Sequence, residues 1–511
     1  MAGSFLLLVQ GCALGFVIPG PALSIHARLR GGTSPRPAVA LPAHMAARAS
    51  CFSTKLNFRM AATLSERGQE TSQDVELYDV AVVGAGPAGL ALSAHLGERG
   101  LKVVTCDPTL NKDWVPNYGV WIDEVEHLGL RECLMTEWPK ATVFMGSSGD
   151  EKITLNRPYG RMDRIKFKQH LLERCRKAGV RLEAQPAKDA VHNAADSMLT
   201  LGEGDSASPL RCKLLVDCSG YGKAFVKFDE GKEPGVQAAY GIEADIVPGT
   251  YPLPTDEMLL MDYRDAHMKD SAADEAASEK VPTFIYCMAT NSTRVFFEET
   301  SLIANPPVPF DELKRRLHKR LKLWGTEVLA VHEEEFCYIP MGGAMPTRPQ
   351  RVIGFGGSAG FVHPATGYMI SRTMNLAADT ANSIETALKN HPNDAESAAS
   401  EVWSSLWTPK TLRQRDFANF GGEYLEEIGL SELRDFFGSF FVLPFKQWGG
   451  FLSHRLVEPV ASTRLHASVA RSLAHTSHLL DKPIAAHTQI SRAHIAPSRL
   501  AGSHASPAPP I

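Results

Sequence analysis

Residues 78–107, YDVAVVGAGPAGLALSAHLGERGLKVVTCD, constrain the fold more than any other stretch of this 511-residue chain. Val80–Val83 is a short apolar run, and Gly84-Ala85-Gly86-Pro87-Ala88-Gly89 is a G-x-G-x-x-G turn. Leu90–Arg99 carries apolar residues at helical spacing, and Leu101–Cys106 reads as a second strand ending at Asp107. Each part has a chemical reason. Gly84 permits a tight turn, Gly86 lets the backbone approach a pyrophosphate, and Gly89 lets the helix pack on the strand. The helix start, with Pro87 and Ala88, offers free N–H groups and a positive dipole end to phosphates. Asp107 stands where a carboxylate accepts hydrogen bonds from a ribose. A dinucleotide site is therefore expected at Gly84, Gly86, Pro87, Ala88, Gly89 and Asp107; the alternative is an ordinary βαβ turn.

Composition adds bounds. The length predicts two or three domains, and 44% apolar with 22% charged residues is a globular balance. A net charge of −4 gives no sign of a nucleic-acid partner. No cysteine pair has C-x-x-C spacing, so neither a metal site nor a disulfide framework is expected, only reduced buried thiols.

The two ends read differently from the middle. No acidic residue precedes Glu66, while residues 1–65 hold five Arg and one Lys among many Ser and Ala. That is transit-peptide composition. Residues 1–16 contain an apolar run, Phe5–Phe16, of signal-peptide length and too short to span a bilayer. A signal-like segment 1–16 followed by a transit-like segment 17–72 resembles the bipartite leaders of algae with secondary plastids. Localisation in a plastid is the expectation that follows. Residues 461–511 are rich in Ala, Ser and His without metal-ligand spacing, and a disordered tail is expected there.

Between these ends, strand and helix patterns alternate. Arg161–Lys177 suits an amphipathic helix, Leu214–Gly220 a buried strand running into a turn, and residues 265–282 an exposed polar loop. Val352–Phe355 is a further strand, leading into Gly356-Gly357-Ser358-Ala359-Gly360, and a helix is expected from Thr373 to Leu388. This order resembles the α/β flavoprotein fold of the aromatic hydroxylases. The resemblance implies a Rossmann-like FAD-binding domain within 73–390, assembled from segments near 76–135, 160–220 and 350–390. A mixed or antiparallel substrate domain would be inserted at about 136–159 and 221–349, and a helical, aromatic-rich region would follow at 391–460. It also implies that Arg164 reaches the flavin phosphates and that Asp217 and Gly220 lie under the nucleotide. Gly356, Gly357, Pro364 and Gly367 would then meet the ribityl chain and the ring. Hydroxylases usually carry Asp where Gly357 stands, which points to another branch of the fold.

Phe296-Phe297-Glu298-Glu299-Thr300 identifies the branch. On a strand, adjacent side chains point to opposite faces, and a carboxyl facing an apolar cavity has its pKa raised by desolvation and can act as an acid. The alternative is a strand end with one exposed and one ion-paired Glu. The pentapeptide resembles the F-L-E-E-T motif of plant and algal lycopene cyclases. Asn117-Tyr118-Gly119-Val120-Trp121, Arg157–Arg161, Tyr240–Glu243, Met261–Asp265, Ile339–Gly343 and Val362–Tyr368 resemble further motifs of that family, in order, from about 76 to 455. Gly357 is ordinary there.

The resemblance implies cyclisation of linear carotene ends, an isomerisation without net electron transfer. Glu298 would be the catalytic acid, with Glu299 supporting it or pointing away. FAD would act reduced, with NADPH as its reductant, and a carotenoid such as lycopene as substrate. Loss of the C6 proton gives a β-ring and loss of the C4 proton an ε-ring. Ile339–Gly343 and Pro349–Val352 are β-like, whereas Phe296-Phe297 and Met261–Tyr263 also resemble ε-cyclases; a β-cyclase is the expectation. A neoxanthin- or capsanthin-synthase-like enzyme, a flavin monooxygenase or isoprenoid reductase, and a flavin-free prenyl-chain carrier are the alternatives. His363 reads as a loop-bonding histidine rather than a base. Tyr118, Trp121 and Phe361 read as core or as tunnel wall. The aromatic stretch Phe436–Arg455 reads either as a membrane-contacting surface or as a helix pair capping the substrate domain.

Overall fold

A computed structural model describes residues 75–146, 152–231 and 233–455. The expected leader (1–72) and the tail (461–511) lie outside the described residues. The fingerprint strand is Leu77–Val83, buried at Val80, Ala81 and Val82, and it lies parallel between Val103–Cys106 and Ser208–Asp217. Arg181–Glu183 extends the sheet on one side in parallel. On the other side Ser197–Leu201 and Ala187–His192 continue it antiparallel, and Ile353–Gly354 pairs with the end of Ser208–Asp217. Central strands buried on both faces need apolar cover, supplied here by Pro87–Glu98, Arg164–Lys177, Ile370–Asn390 and Ala395–Leu406. The second of these helices starts later than its amphipathic pattern suggests. Tyr159–Met162 is a strand, and Asp163 caps the helix by accepting from Ile165 and Lys166 N–H at 3.1 and 3.0 Å.

A second sheet carries the substrate half. Its order is Val328–Met341, Gly235–Ile246, Arg294–Ala304, Thr283–Ala289, Met258–Asp262, Ala141–Phe144 and Lys152–Leu155, antiparallel except where Met258–Asp262 meets Ala141–Phe144. Leu134–Trp138 and Tyr159–Met162 stay out of it; Tyr159–Met162 is the middle strand of a small antiparallel sheet, between Gly119–Trp121 and Leu134–Trp138. One face of the large sheet is covered by Phe310–Trp324, which presses Leu313, Leu317 and Leu321 into it. Arg320 of that helix, 2% exposed, donates to both oxygens of fully buried Glu299 at 2.9 Å. The other face is roofed by Pro409–Glu427, Leu430–Phe441 and Phe445–Leu452. Arg434 ties this roof down, donating to the Tyr263 carbonyl at 2.7 Å and to Asp265 at 2.8 Å.

The polar segment 265–282, expected as a loop, contains the helix Ala272–Lys280. Its alanines favour a helix, Ser271 caps it through Asp274 N–H at 3.1 Å, and Asp274 pairs with Arg315 and Lys319 of the neighbouring helix. Polarity marked an exposed face, not irregular backbone.

Removing one partner of a buried ion pair strands the other charge, at a cost of about 3–5 kcal/mol. Arg320→Met is accordingly expected to lower unfolding stability by that order in urea titration; a change below about 1 kcal/mol would mean that the pair contributes little to the fold.

Candidate active site

The fingerprint geometry matches its chemistry. Gly84 has φ +107°, and a Cβ there would lie 2.5 Å from the Cys218 carbonyl oxygen; a Cβ at Gly89 would lie 1.8 Å from the Gly84 carbonyl oxygen. Helix Pro87–Glu98 has Pro at its start, no side-chain cap and no acidic residue in its first turn. Its N-terminal N–H groups therefore suit an anionic group. Asp107 ends the neighbouring strand against this turn, accepting from Ala85 N–H at 2.7 Å and Thr109 N–H at 2.6 Å. The late glycine turn comes to the same place: a Cβ at Gly356 would lie 2.7 Å from the Ala88 Cβ. Gly357 belongs to the short helical turn Gly356–Ala359. Asp217 organises the floor between them, accepting from Ser219, Phe225 and Val226 N–H and from the Ser358 hydroxyl, which also donates to the Gly220 carbonyl. This narrow, glycine-lined cradle fits a dinucleotide.

Arg164 is directed elsewhere. It donates to the Val115 carbonyl and pairs with Glu333 of the substrate sheet at 2.5 Å, and it has no hydrogen bond to the fingerprint among the described residues. In this structure Arg164 forms a clasp between the two sheets.

Adjacent to the cradle, a cavity of about 270 Å³ opens between the substrate sheet and the helical roof. Thr366 and Gly367 of the glycine-rich turn line one part of it, and Phe296, Tyr286, Phe437 and Phe440 belong to its aromatic wall. Glu298 reaches into this space, and its oxygen accepts from the Thr300 hydroxyl at 2.7 Å. Burial among aromatic walls raises its pKa, opposed by the Thr300 hydrogen bond. Glu299 points to the opposite face, where Thr283 (2.6 Å) and Arg320 hold it. It therefore does not share the cavity with Glu298, and of the two adjacent carboxyls only one has access to a substrate.

A second carboxyl does share the cavity. Glu335 is 4% exposed, and burial first, then the neighbouring Glu298, push it up to about 8. Asn117 grips it through its side-chain N–H at 2.5 Å and its backbone N–H at 3.4 Å. Arg161 holds the Asn117 carbonyl oxygen at 2.5 Å and pairs with Glu243 at 2.7 Å. Glu335 was not singled out in the sequence. Its signal is the run Glu333-Glu334-Glu335, whose alternation sends Glu334 outward to Tyr240 and Lys314 and the other two inward.

His363 is fully buried; its Nε2 bonds the Phe451 carbonyl at 2.9 Å and its Nδ1 accepts from Ala365 N–H at 3.1 Å. Desolvation pushes it down to about 3, so it is a neutral loop brace. Beside it, Gly367 has φ +72°, and the Pro364 carbonyl packs where a Cβ on Gly422 would stand. Tyr118 and Trp121 line the cavity. Phe361 does not; it packs on Phe355 and Trp407. Most aromatics of 436–455 face inward: Phe437, Phe440, Phe441 and Trp448 are buried, whereas Val442 and Phe445 are 75% and 52% exposed. The stretch is mainly a roof. No described helix is long and apolar enough to cross a membrane, and no group of three metal-ligating residues occurs among the described residues.

Comparison with known proteins agrees with this geometry. The family model described as lycopene cyclase protein matches residues 79–474. The chain is 40% identical to the lycopene beta cyclase of Capsicum annuum over 75% of both chains, and 39% identical to that of Arabidopsis thaliana over 75% and 76%. It is also 38% identical to the capsanthin/capsorubin synthase of Capsicum annuum, over 76% of each. Among solved structures, a geranylgeranyl bacteriochlorophyll reductase-like protein from Thermoplasma acidophilum matches with TM-score 0.59 and 16% identity, covering 79% of this chain and 99% of that one. An anhydrotetracycline hydroxylase from Streptomyces rimosus matches with TM-score 0.51 and 15% identity, covering 75% and 77%. These two show the fold, which is α/β with the architecture expected from the order of elements.

Burial and the neighbouring Glu298 push Glu335 up to about 8, so the two carboxyls together retain one proton up to about that pH, whereas an unfolded glutamate releases its own near 4.5. The raised folded pKa contributes stability that is fully present below 4.5 and is lost as pH rises through 8. Glu335→Gln is expected to flatten the fall of unfolding free energy across that window; an unchanged slope would show that Glu335 is ionised in the fold.

Proposed function

Because this chain belongs to the lycopene cyclase family, we propose that it closes the linear ends of lycopene into β-rings, by way of γ-carotene to β-carotene, with Glu298 as the acid. The observation that carries this reading is the unequal fate of two adjacent carboxyls: Glu299 is neutralised by Arg320, while Glu298 faces an aromatic cavity without a cation. Cyclisation needs a proton delivered to a terminal double bond in the absence of water. A desolvated carboxylic acid can hold that proton at neutral pH and give it to an alkene oriented against it.

The aromatic wall has two further tasks. It excludes water, which would capture a carbocation as an alcohol, and the π-faces of lining rings such as Phe296 and Tyr286 would stabilise a developing positive charge. Gly84, Gly86, Pro87, Ala88 and Gly89 would hold the pyrophosphate of FAD, with Asp107 at its ribose. Gly356, Gly357, Pro364 and Gly367 would bring its ring toward the cavity over a floor built by Asp217 and Gly220. A reduced, electron-rich flavin there supplies negative charge facing the cation. NADPH would serve only to keep that flavin reduced, so the reaction is an isomerisation.

Relatives named chloroplastic and a transit-like composition before Glu66 support action in a plastid. The substrate is apolar enough to reside in the membrane, and exposed Val442 and Phe445, at the junction of two roof helices, suit peripheral contact there. The match to capsanthin/capsorubin synthases supports a second reading, rearrangement of an epoxidised ring by the same acid.

Expression of the full chain in a lycopene-accumulating bacterium is expected to yield β-carotene; oxygen uptake or one NADPH consumed per product would sink the cyclase reading. Glu298→Gln is expected to lose about 10²–10⁴-fold in turnover with flavin still bound. Retained turnover would remove Glu298 from the chemistry.

A further inference from the structure

Four carboxyls project from adjacent strands onto the cavity-side face of the substrate sheet: Glu243, Glu298, Glu333 and Glu335. Two of them are neutralised, Glu243 by Arg161 and Glu333 by Arg164. Glu298 and Glu335 have no cation within ion-pair distance among the described residues. Both line the cavity, and both are register partners of one residue on the strand between them, Gly241. That residue contributes no side chain, and the Phe296 ring covers it between the two carboxyls. A Cβ there would lie 2.7 Å from the Phe296 ring. The remaining titratable groups lining the cavity are the hydroxyls of Tyr118, Tyr159, Tyr263, Tyr286 and Tyr368, all pushed up by burial and so uncharged, and the Cys337 thiol.

We propose that Glu335 is the second catalytic carboxyl: it accepts the proton that leaves the new ring and returns it to Glu298 through the cavity that both line. This inference rests on the cyclase reading above and adds to it the base. Proton and electron pairs balance. Glu298 gives its proton to the terminal double bond, whose π pair forms the new C–H bond and leaves a tertiary cation. The π pair of the next double bond closes the ring and moves the positive charge to a ring carbon. A C–H bond beside that carbon breaks, its electron pair becomes the ring double bond, and its proton passes to the Glu335 carboxylate. Transfer from Glu335 to the Glu298 carboxylate restores the starting state, with nothing oxidised or reduced. Two carboxyls so placed carry one proton between them, the state in which an acid and a base are present together. Asn117, itself held by Arg161, fixes where the Glu335 oxygens lie and thus which ring hydrogen is within reach. This gives the choice between β- and ε-rings a structural location.

The test compares full-chain, flavin-loaded wild type with Glu298→Gln, Glu335→Gln and Glu335→Asp, following carotenoid products across pH. Wild type is expected to show a bell-shaped profile, because the singly protonated pair is the active form. Glu335→Gln is expected to lose about 100-fold in kcat and the acid limb of the bell, and Glu335→Asp to recover to within about tenfold with both limbs restored. If Glu298→Gln is inactive while Glu335→Gln keeps wild-type kcat and profile, the pair is wrong and the acid stands. Retained activity in Glu298→Gln overturns the acid assignment itself. If Glu335→Asp is as inactive as Glu335→Gln while both keep flavin, Glu335 is a structural group and the proposal is overturned.

Discussion

The site depends on the desolvation of one carboxyl on the strand Arg294–Ala304. Strand alternation sends Glu298 and Glu299 to opposite faces, and the two faces have opposite electrostatics. On one, Arg320 and Thr283 hold Glu299 in a buried ion pair. On the other, burial among aromatic rings makes ionisation unfavourable for Glu298 and Glu335, and for Glu335 the neighbouring Glu298 adds to it. A single β-strand thus holds a structural anion and a proton donor side by side. Slipping the register by one residue would exchange them and abolish both roles.

Water exclusion follows from the helical roof. Phe437 stacks on Tyr263 and on Phe441, and Phe441 meets Trp448 edge-on, so the cover over the carboxyls is continuous aromatic surface. Arg434 anchors that roof to the sheet below through Tyr263 and Asp265. Surface that looks membrane-seeking in the sequence is spent mainly on sealing the cavity. Within 436–455, the turn around Val442 and Phe445 presents large apolar groups outward.

Coupling between the halves is ionic at one edge and steric at another. Arg164 crosses from the dinucleotide half to Glu333, and Arg161 and Asn117 beside it orient Glu335 and Glu243. The glycine turn from Gly356 to Gly367 touches the fingerprint at Ala88 and the cavity at Gly367, so cofactor cradle and proton chemistry share one loop. His363 braces that loop as a neutral ring, which the low dielectric around it enforces.

The fingerprint, the element order and the acid motif were legible because each is local: glycine spacing sets a turn, periodicity sets an element, and alternation splits two neighbouring glutamates. The family motifs carried the cofactor class and Glu298 for the same reason. Helix Ala272–Lys280 escaped because its polar surface is satisfied by a distant helix through Arg315 and Lys319. The Arg164–Glu333 pair could not be read from sequence because its two members lie 169 residues apart. Glu335 shows the limit most clearly. Nothing in the run Glu333-Glu334-Glu335 states which carboxyl is paired, exposed or dry. Sequence by itself determined the dinucleotide turn, the fold class and the acid strand, since those depend on backbone geometry over a few residues. Only the tertiary structure decided which carboxyls keep a proton, because that depends on the cations, rings and water that remote segments bring to each one.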